Sequence, residues 1–226
     1  FSSATSFSPE RSGSAWYNEA LGNNSSSPTI NNCSFLHNYA SFAGAMFHIN
    51  SEGINSPALT NCYFSNNATS GKGGALYNRF SNTKLTDCTF FNNTASSGGA
   101  MYNTQSNPEI INCTYLDNVA TSTGGGIFNT QADVKVRNSF FAHNSAGVHG
   151  GALYNSFANP EVINCVFSNN SGSIGGAMSN SSSDFKVINS TFSNNAASSL
   201  GGGMYNVTGN SEIVNTIFWN NTKLVC

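Results

Sequence analysis

PEIINCTYLDNVATSTGGGIFN, Pro108 to Asn129, is one unit of a tandem array, and the rest of the chain repeats it with small edits. An aromatic recurs at Phe35, Phe64, Phe90, Tyr115, Phe141, Phe167, Phe192 and Phe218, at spacings of 29, 26, 25, 26, 26, 25 and 26 residues. Three residues after each stands Asn38, Asn67, Asn93, Asn118, Asn144, Asn170, Asn195 or Asn221. Further on comes a run of three small residues and an aliphatic one, as in Gly98-Gly99-Ala100-Met101 and Gly150-Gly151-Ala152-Leu153. A fixed period in the twenties marks a solenoid.

Leucine-rich repeats share this period, but leucine is scarce here and no stretch has apolar residues at helical spacing. The unit reads instead as short alternating runs broken by Asn and Gly, which are strands and tight bends. The expected fold is all-β: a single-stranded parallel β-helix, right-handed by the usual rule, of about eight coils of 25–26 residues. One domain spans 1–226. Stacked at strand spacing, the coils make a rod roughly 38 Å long.

Within the coil, Ile30, Leu59, Leu85, Ile110, Val136, Val162, Val187 and Ile213 face inward, three residues before the cysteine position. An Asn, or Asp87, precedes that position in every coil and marks a bend, because Asn tolerates the left-handed backbone. The Asn after the aromatic is expected to end its strand in the same way, and Asn side chains of neighbouring coils can bond into ladders. The Gly-Gly-Ala corner leads into a strand with Tyr or Phe in most coils, closed by Asn18, His48, Asn78, Asn103, Asn129, Asn155, Asn180 and Asn206. Three sides and three bends result. Longer connections at 19–28 and 49–57 are expected to bulge from one corner of the first two coils, and loops on a rigid scaffold commonly carry recognition.

One outward column alternates strictly in sign: Lys84, Glu109, Lys135, Glu161, Lys186, Glu212. Each charge is expected to meet the opposite sign above and below, so a slip by one coil would stack like charges.

Charged residues are only 8% of the chain and the net charge is -2, which favours neither nucleic acid nor a membrane surface as partner. No apolar run reaches the ~18 residues of a spanning helix, so no membrane insertion of this segment is expected. Cys33, Cys62, Cys88, Cys113 and Cys165 share one position with Ser139, Ser190 and Thr216, which reads as a buried column for small side chains rather than a disulfide framework. No Cys or His spacing supports a metal, and no cofactor motif is present. Cys226 lies outside the column, where pairing with another chain is open to it.

Many parallel β-helices cleave polysaccharides, a reaction that needs clustered carboxylates. Here Glu109, Glu161 and Glu212 belong to the charge column, Asp87 to a bend, and Asp133 and Asp184 to a corner column with Asn82, Asn107, Asn159 and Asn210, where Asx residues cap turns. Asp117 remains as a lone exposed acid. His37, His143 and His149 read as surface residues. No catalytic residue is assigned, and enzymatic activity is the remote alternative. Eleven Asn-x-Ser/Thr matches occur, most of them coincidental in so Asn-rich a chain.

Phe-x-x-Asn paired with Gly-Gly-Ala-aliphatic, carried by Phe64 to Asn67 with Gly73 to Leu76 and by Phe167 to Asn170 with Gly175 to Met178, resembles the repeats of chlamydial polymorphic outer membrane proteins. That resemblance implies a β-helical adhesin at the cell surface or outside the cell, meeting host proteins or glycans. The alternative is a filament subunit stacking on copies of itself: the array opens at Phe7 and stops after Asn221 in the same phase, and uncapped coils expose strand edges.

Overall fold

Four short strands make up each coil. The computed structural model describes residues 5–6, 15–20, 25–50 and 55–223. The fourth coil runs through Glu109–Ile111, Thr114–Leu116, Val119–Thr123 and Ile127–Thr130. Strands one coil apart pair in parallel, forming three sheets of eight strands and one of nine. In chain order within a coil these are an aliphatic, a phenylalanine, a small-residue and a tyrosine sheet.

Pairing is in register throughout the core columns. Ile110 faces Leu85 and Val136, and Tyr115 faces Phe90 and Phe141. The expected three sides become four, because the small-residue corner is itself a strand. Its inward side chains are Ala40, Thr69, Ala95, Ala120, Ala146 and Ala197, and so little apolar bulk leaves no alternation to read in the sequence.

Four bends close the coil, each with one residue in the left-handed region. The first is the Asn preceding the cysteine position, at φ 49–55°. The second is not the Asn three after the aromatic, as expected, but the residue before it: His37, Asn66, Asn92, Asp117, His143, Asn169, Asn194 or Asn220. The following Asn is thereby turned into the interior. Asp117 thus belongs to a bend column and is half-buried. The third bend, in the six coils from Gly73 to Gly201, is the first glycine of the small-residue run, at φ 63–71°; the coil with Ala43 at that place makes the turn without it. The fourth was not foreseen, since Phe80, Gln105, Gln131, Phe157, Ser182 and Thr208 share no chemistry that favours it.

The long connections begin later than expected, because strands Trp16–Ala20 and Met46–Asn50 run two residues into each of them. Residues 21–24 and 51–54, Phe7 and Cys226 lie outside the described residues.

The aromatic column is a single pile. From Phe35 to Phe218 successive ring centroids are 4.6–4.9 Å apart, with interplanar angles of 4–13°. Each fully buried Phe contributes about 1.5 to 3 kcal/mol of apolar burial, and stacked rings add to that. Tyr115 alone brings a hydroxyl into this pile. Its ring is completely buried and its Oη has no hydrogen-bond partner, so burial holds the phenol far above its ordinary pKa. An orphaned buried hydroxyl costs on the order of 1–3 kcal/mol. Tyr115→Phe is therefore expected to raise the thermal midpoint, by an amount worth about 1 kcal/mol; an unchanged or lower melting curve by circular dichroism would contradict it.

Candidate functional surface

Two amide ladders run through the interior, and their chemistry sets what is left for the outside. In the first, each Asn uses every polar atom. Asn118 Nδ2 donates to Asn144 Oδ1 and to the Phe90 carbonyl, both at 2.9 Å, while its Oδ1 accepts from Asn93 N and Nδ2, both at 3.0 Å. The same pattern repeats from Asn67 to Asn195. The second ladder, from Asn78 through Asn103, Asn129, Asn155 and Asn180 to Asn206, links amides at 2.7–2.8 Å.

A third, exposed ladder works differently. Asn107 N donates to Asn82 Oδ1 (2.7 Å), Asp133 N to Asn107 Oδ1 (2.9 Å) and Asn159 N to Asp133 Oδ1 (2.7 Å). Only an acceptor is needed, so a carboxylate serves as well as an amide. These residues therefore tie one coil to the next, rather than capping their own turns as expected. Asp87 likewise accepts from Asn112 Nδ2.

The cysteine position has a requirement the sequence reading missed. Each of the five thiols in the column donates to the carbonyl two residues back, as Cys113 does to Ile111 at 3.2 Å, and Ser139, Ser190 and Thr216 do the same at 2.8–3.0 Å. Small size alone would admit Ala; a donor explains Cys, Ser and Thr. The five described cysteines are free, and burial pushes the Cys165 thiol up to about 11 and raises Cys62 as well.

Charge is concentrated on the aliphatic sheet. Lys84 lies 3.5 Å from Glu109, and Lys186 lies 3.0 Å from Glu212. In the middle, Lys135 is in register with both glutamates, yet Arg137 makes the bonds, at 3.5 Å to Glu109 and 3.2 Å to Glu161. Two residues along a strand share a face, so the longer, forked guanidinium reaches both carboxylates. Glu161→Lys would remove that pair and put a third ammonium directly between those of Lys135 and Lys186; a loss of about 1 kcal/mol is expected, shrinking with added salt. A thermal melt equally depressed at low and high salt would contradict an electrostatic origin.

Beside this column an open recess of about 420 Å³ is lined by Glu161, Asp184, Lys186 and Glu212 among others. Its acids are engaged: Glu161 and Glu212 in ion pairs, Asp184 accepting from Asn210 N.

The outward faces of the phenylalanine and small-residue sheets are poor in charge, with Lys72 at the edge of the latter, bridged to Ser97, and they expose Tyr39, Tyr63, Val119, Phe140 and Val166. His37 and His143 are exposed at bends. His149, expected at the surface, is instead half-buried and stacked on Tyr154, with centroids 5.2 Å apart, so burial lowers its pKa. The tyrosine row, Tyr17 to Tyr205, lies on the outer side of its sheet, and Lys72 sits 4.7 Å above the Tyr102 ring.

Among the described residues, no group of three or more His, Cys, Asp or Glu side chains is placed to hold a metal ion. No helix there is long and apolar enough to cross a membrane. No curated protein and no solved structure matches the chain. Residues 18–192 match the family model described as the right-handed beta helix region. With its stacked, in-register coils, the chain belongs to the right-handed β-helix family.

Proposed function

We propose that the chain is a non-enzymatic extracellular or cell-surface rod, adhesive or structural, that acts through its outer faces. The observation that carries this reading is the way six of the eight described acids are occupied. Glu109, Glu161 and Glu212 are ion-paired, and Asp87, Asp133 and Asp184 accept hydrogen bonds that tie one coil to the next. A glycosidase or lyase instead keeps carboxylates facing its substrate. The resemblance to chlamydial surface repeats points the same way, toward host proteins or glycans as partners, with neither nucleic acid nor membrane insertion involved.

Incubation with neutral and anionic polysaccharides is expected to release no reducing ends or unsaturated products. Turnover abolished by Glu161→Gln or Asp184→Asn in the recess would replace this reading with the enzymatic one. A second reading, head-to-tail stacking into filaments, rests on the parallel pairing of coil on coil that runs through all four sheets, a contact of the kind that would join one copy to the next. Electron microscopy would support it with fibres whose repeat is near 38 Å, about eight strand spacings; monodisperse particles would remove it.

A further inference from the structure

The second interior ladder is broken at one rung. His48 stands where later coils carry Asn78, Asn103 and Asn129, and it is completely buried. Its Nδ1 lies 3.3 Å from Asn18 Nδ2. That amide cannot turn over freely, because the same Nδ2 donates to the Ser26 carbonyl at 3.0 Å and to Asn55 Oδ1 at 2.9 Å, while Asn18 Oδ1 accepts from the Ser26 hydroxyl. An amide nitrogen that shares two hydrogens among three acceptors and accepts none therefore faces Nδ1, so the neutral ring carries its proton on Nε2. Nε2 has no partner among the described residues.

A second proton would set N–H against N–H at Asn18. Rotating the Asn18 amide to relieve this would break its bonds to Ser26 and Asn55, and Asn55 also donates to the Ile49 carbonyl at 2.9 Å. The new charge would have little to answer it. From the flanking strands, Glu19 and Arg79 are in register with Ile49, one position along and so on the opposite face. Tyr17 and Tyr77 belong to the outer row. Residues 25–28 and 55–57, which pack against the ring's network, bring no titratable group, nor do strands Thr29–Asn31 and Ala58–Thr60; Glu52 lies outside the described residues.

We propose that His48 is a proton-operated release: its protonation dissolves the Asn18–His48–Asn55 network and uncouples the first coil from the second. Solenoid coils touch only their neighbours, so a fault at one rung loosens that interface without melting the rest. The sign follows from the neutral ring being the form the fold holds. Burial lowers the pKa of His48 from 6.5 to about 3. Coupling is complete above the upper value and weakens as pH falls toward the lower one.

Hydrogen exchange on the whole chain, corrected for the intrinsic pH dependence of exchange, tests this. Protection of Trp16–Ala20 and Met46–Asn50 is expected to drop about tenfold per pH unit below the imidazole range, while Thr114–Leu116 keeps its protection. His48→Asn, which restores the rung, should abolish the drop, and His149→Asn should leave it intact; His48→Gln serves if the first variant fails to fold. Unchanged protection of the first coils down to pH 4.5, the same drop in His48→Asn, or a uniform loss through all coils would each overturn the proposal.

Discussion

Asn118→Asp is expected to destabilise the chain by on the order of 3–5 kcal/mol, the cost of an uncompensated buried charge. Asn118 is completely buried. The replacement is nearly isosteric, so packing is untouched, but the two Nδ2 donations to Asn144 Oδ1 and the Phe90 carbonyl vanish. A carboxylate would instead turn lone pairs toward two oxygens. It can escape only by taking up a proton, so the loss should ease as the solution is acidified. Asn82→Asp is the matched control. Its Oδ1 only accepts, from Asn107 N, it is exposed, and later coils already carry Asp133 and Asp184 in that column, so a change within ~0.5 kcal/mol is expected. Chemical denaturation of the pair decides the matter: equal losses would mean that the interior ladder is not held by its donors.

Gly125→Ala should be of comparable size for a steric reason. A Cβ there would lie 2.1 Å from the Gly151 carbonyl oxygen and 2.4 Å from that of Ser145, both backbone atoms of the next coil. Neither can move without lifting that coil off the stack, so the expected loss is on the order of 3 kcal/mol. In a solenoid the damage localises at one interface, and the single unfolding transition is expected to split in two. Gly126→Ala should be milder. Its Cβ would meet one carbonyl oxygen at 2.8 Å, and Ala45, Ala75, Ala100, Ala152 and Ala177 already occupy that column. A Gly125→Ala melt that stays single and unshifted would show that the coils are not in contact there.

How legible each feature was in the sequence followed from how much chemistry it required. The aromatic pile, the aliphatic column and the first bend were readable because each demands a narrow residue class in every coil. The fourth bend was hidden, since Phe80, Gln105 and Thr208 are forced into the left-handed region by the strands on either side and not by their own preference. The second bend was misplaced by one residue. Two consecutive Asn-rich columns meet there, and both patterns look alike until one is seen to face inward. The charge column was legible in register but not in contact, because reach belongs to the side chain: Arg137, outside the alternation, makes the central pairs. The recess draws its lining from three coils, and His48 looked like any other substitution in an Asn column.

The sequence by itself determined the repeat, the β-helical class and which residues stack on which, because identical positions one coil apart must satisfy the same surroundings. Tertiary structure alone decided the number of sides, the direction of every ladder and the isolation of His48. Those depend on which way an amide or a ring points once its neighbours are in place, and one-dimensional periodicity carries no information about orientation.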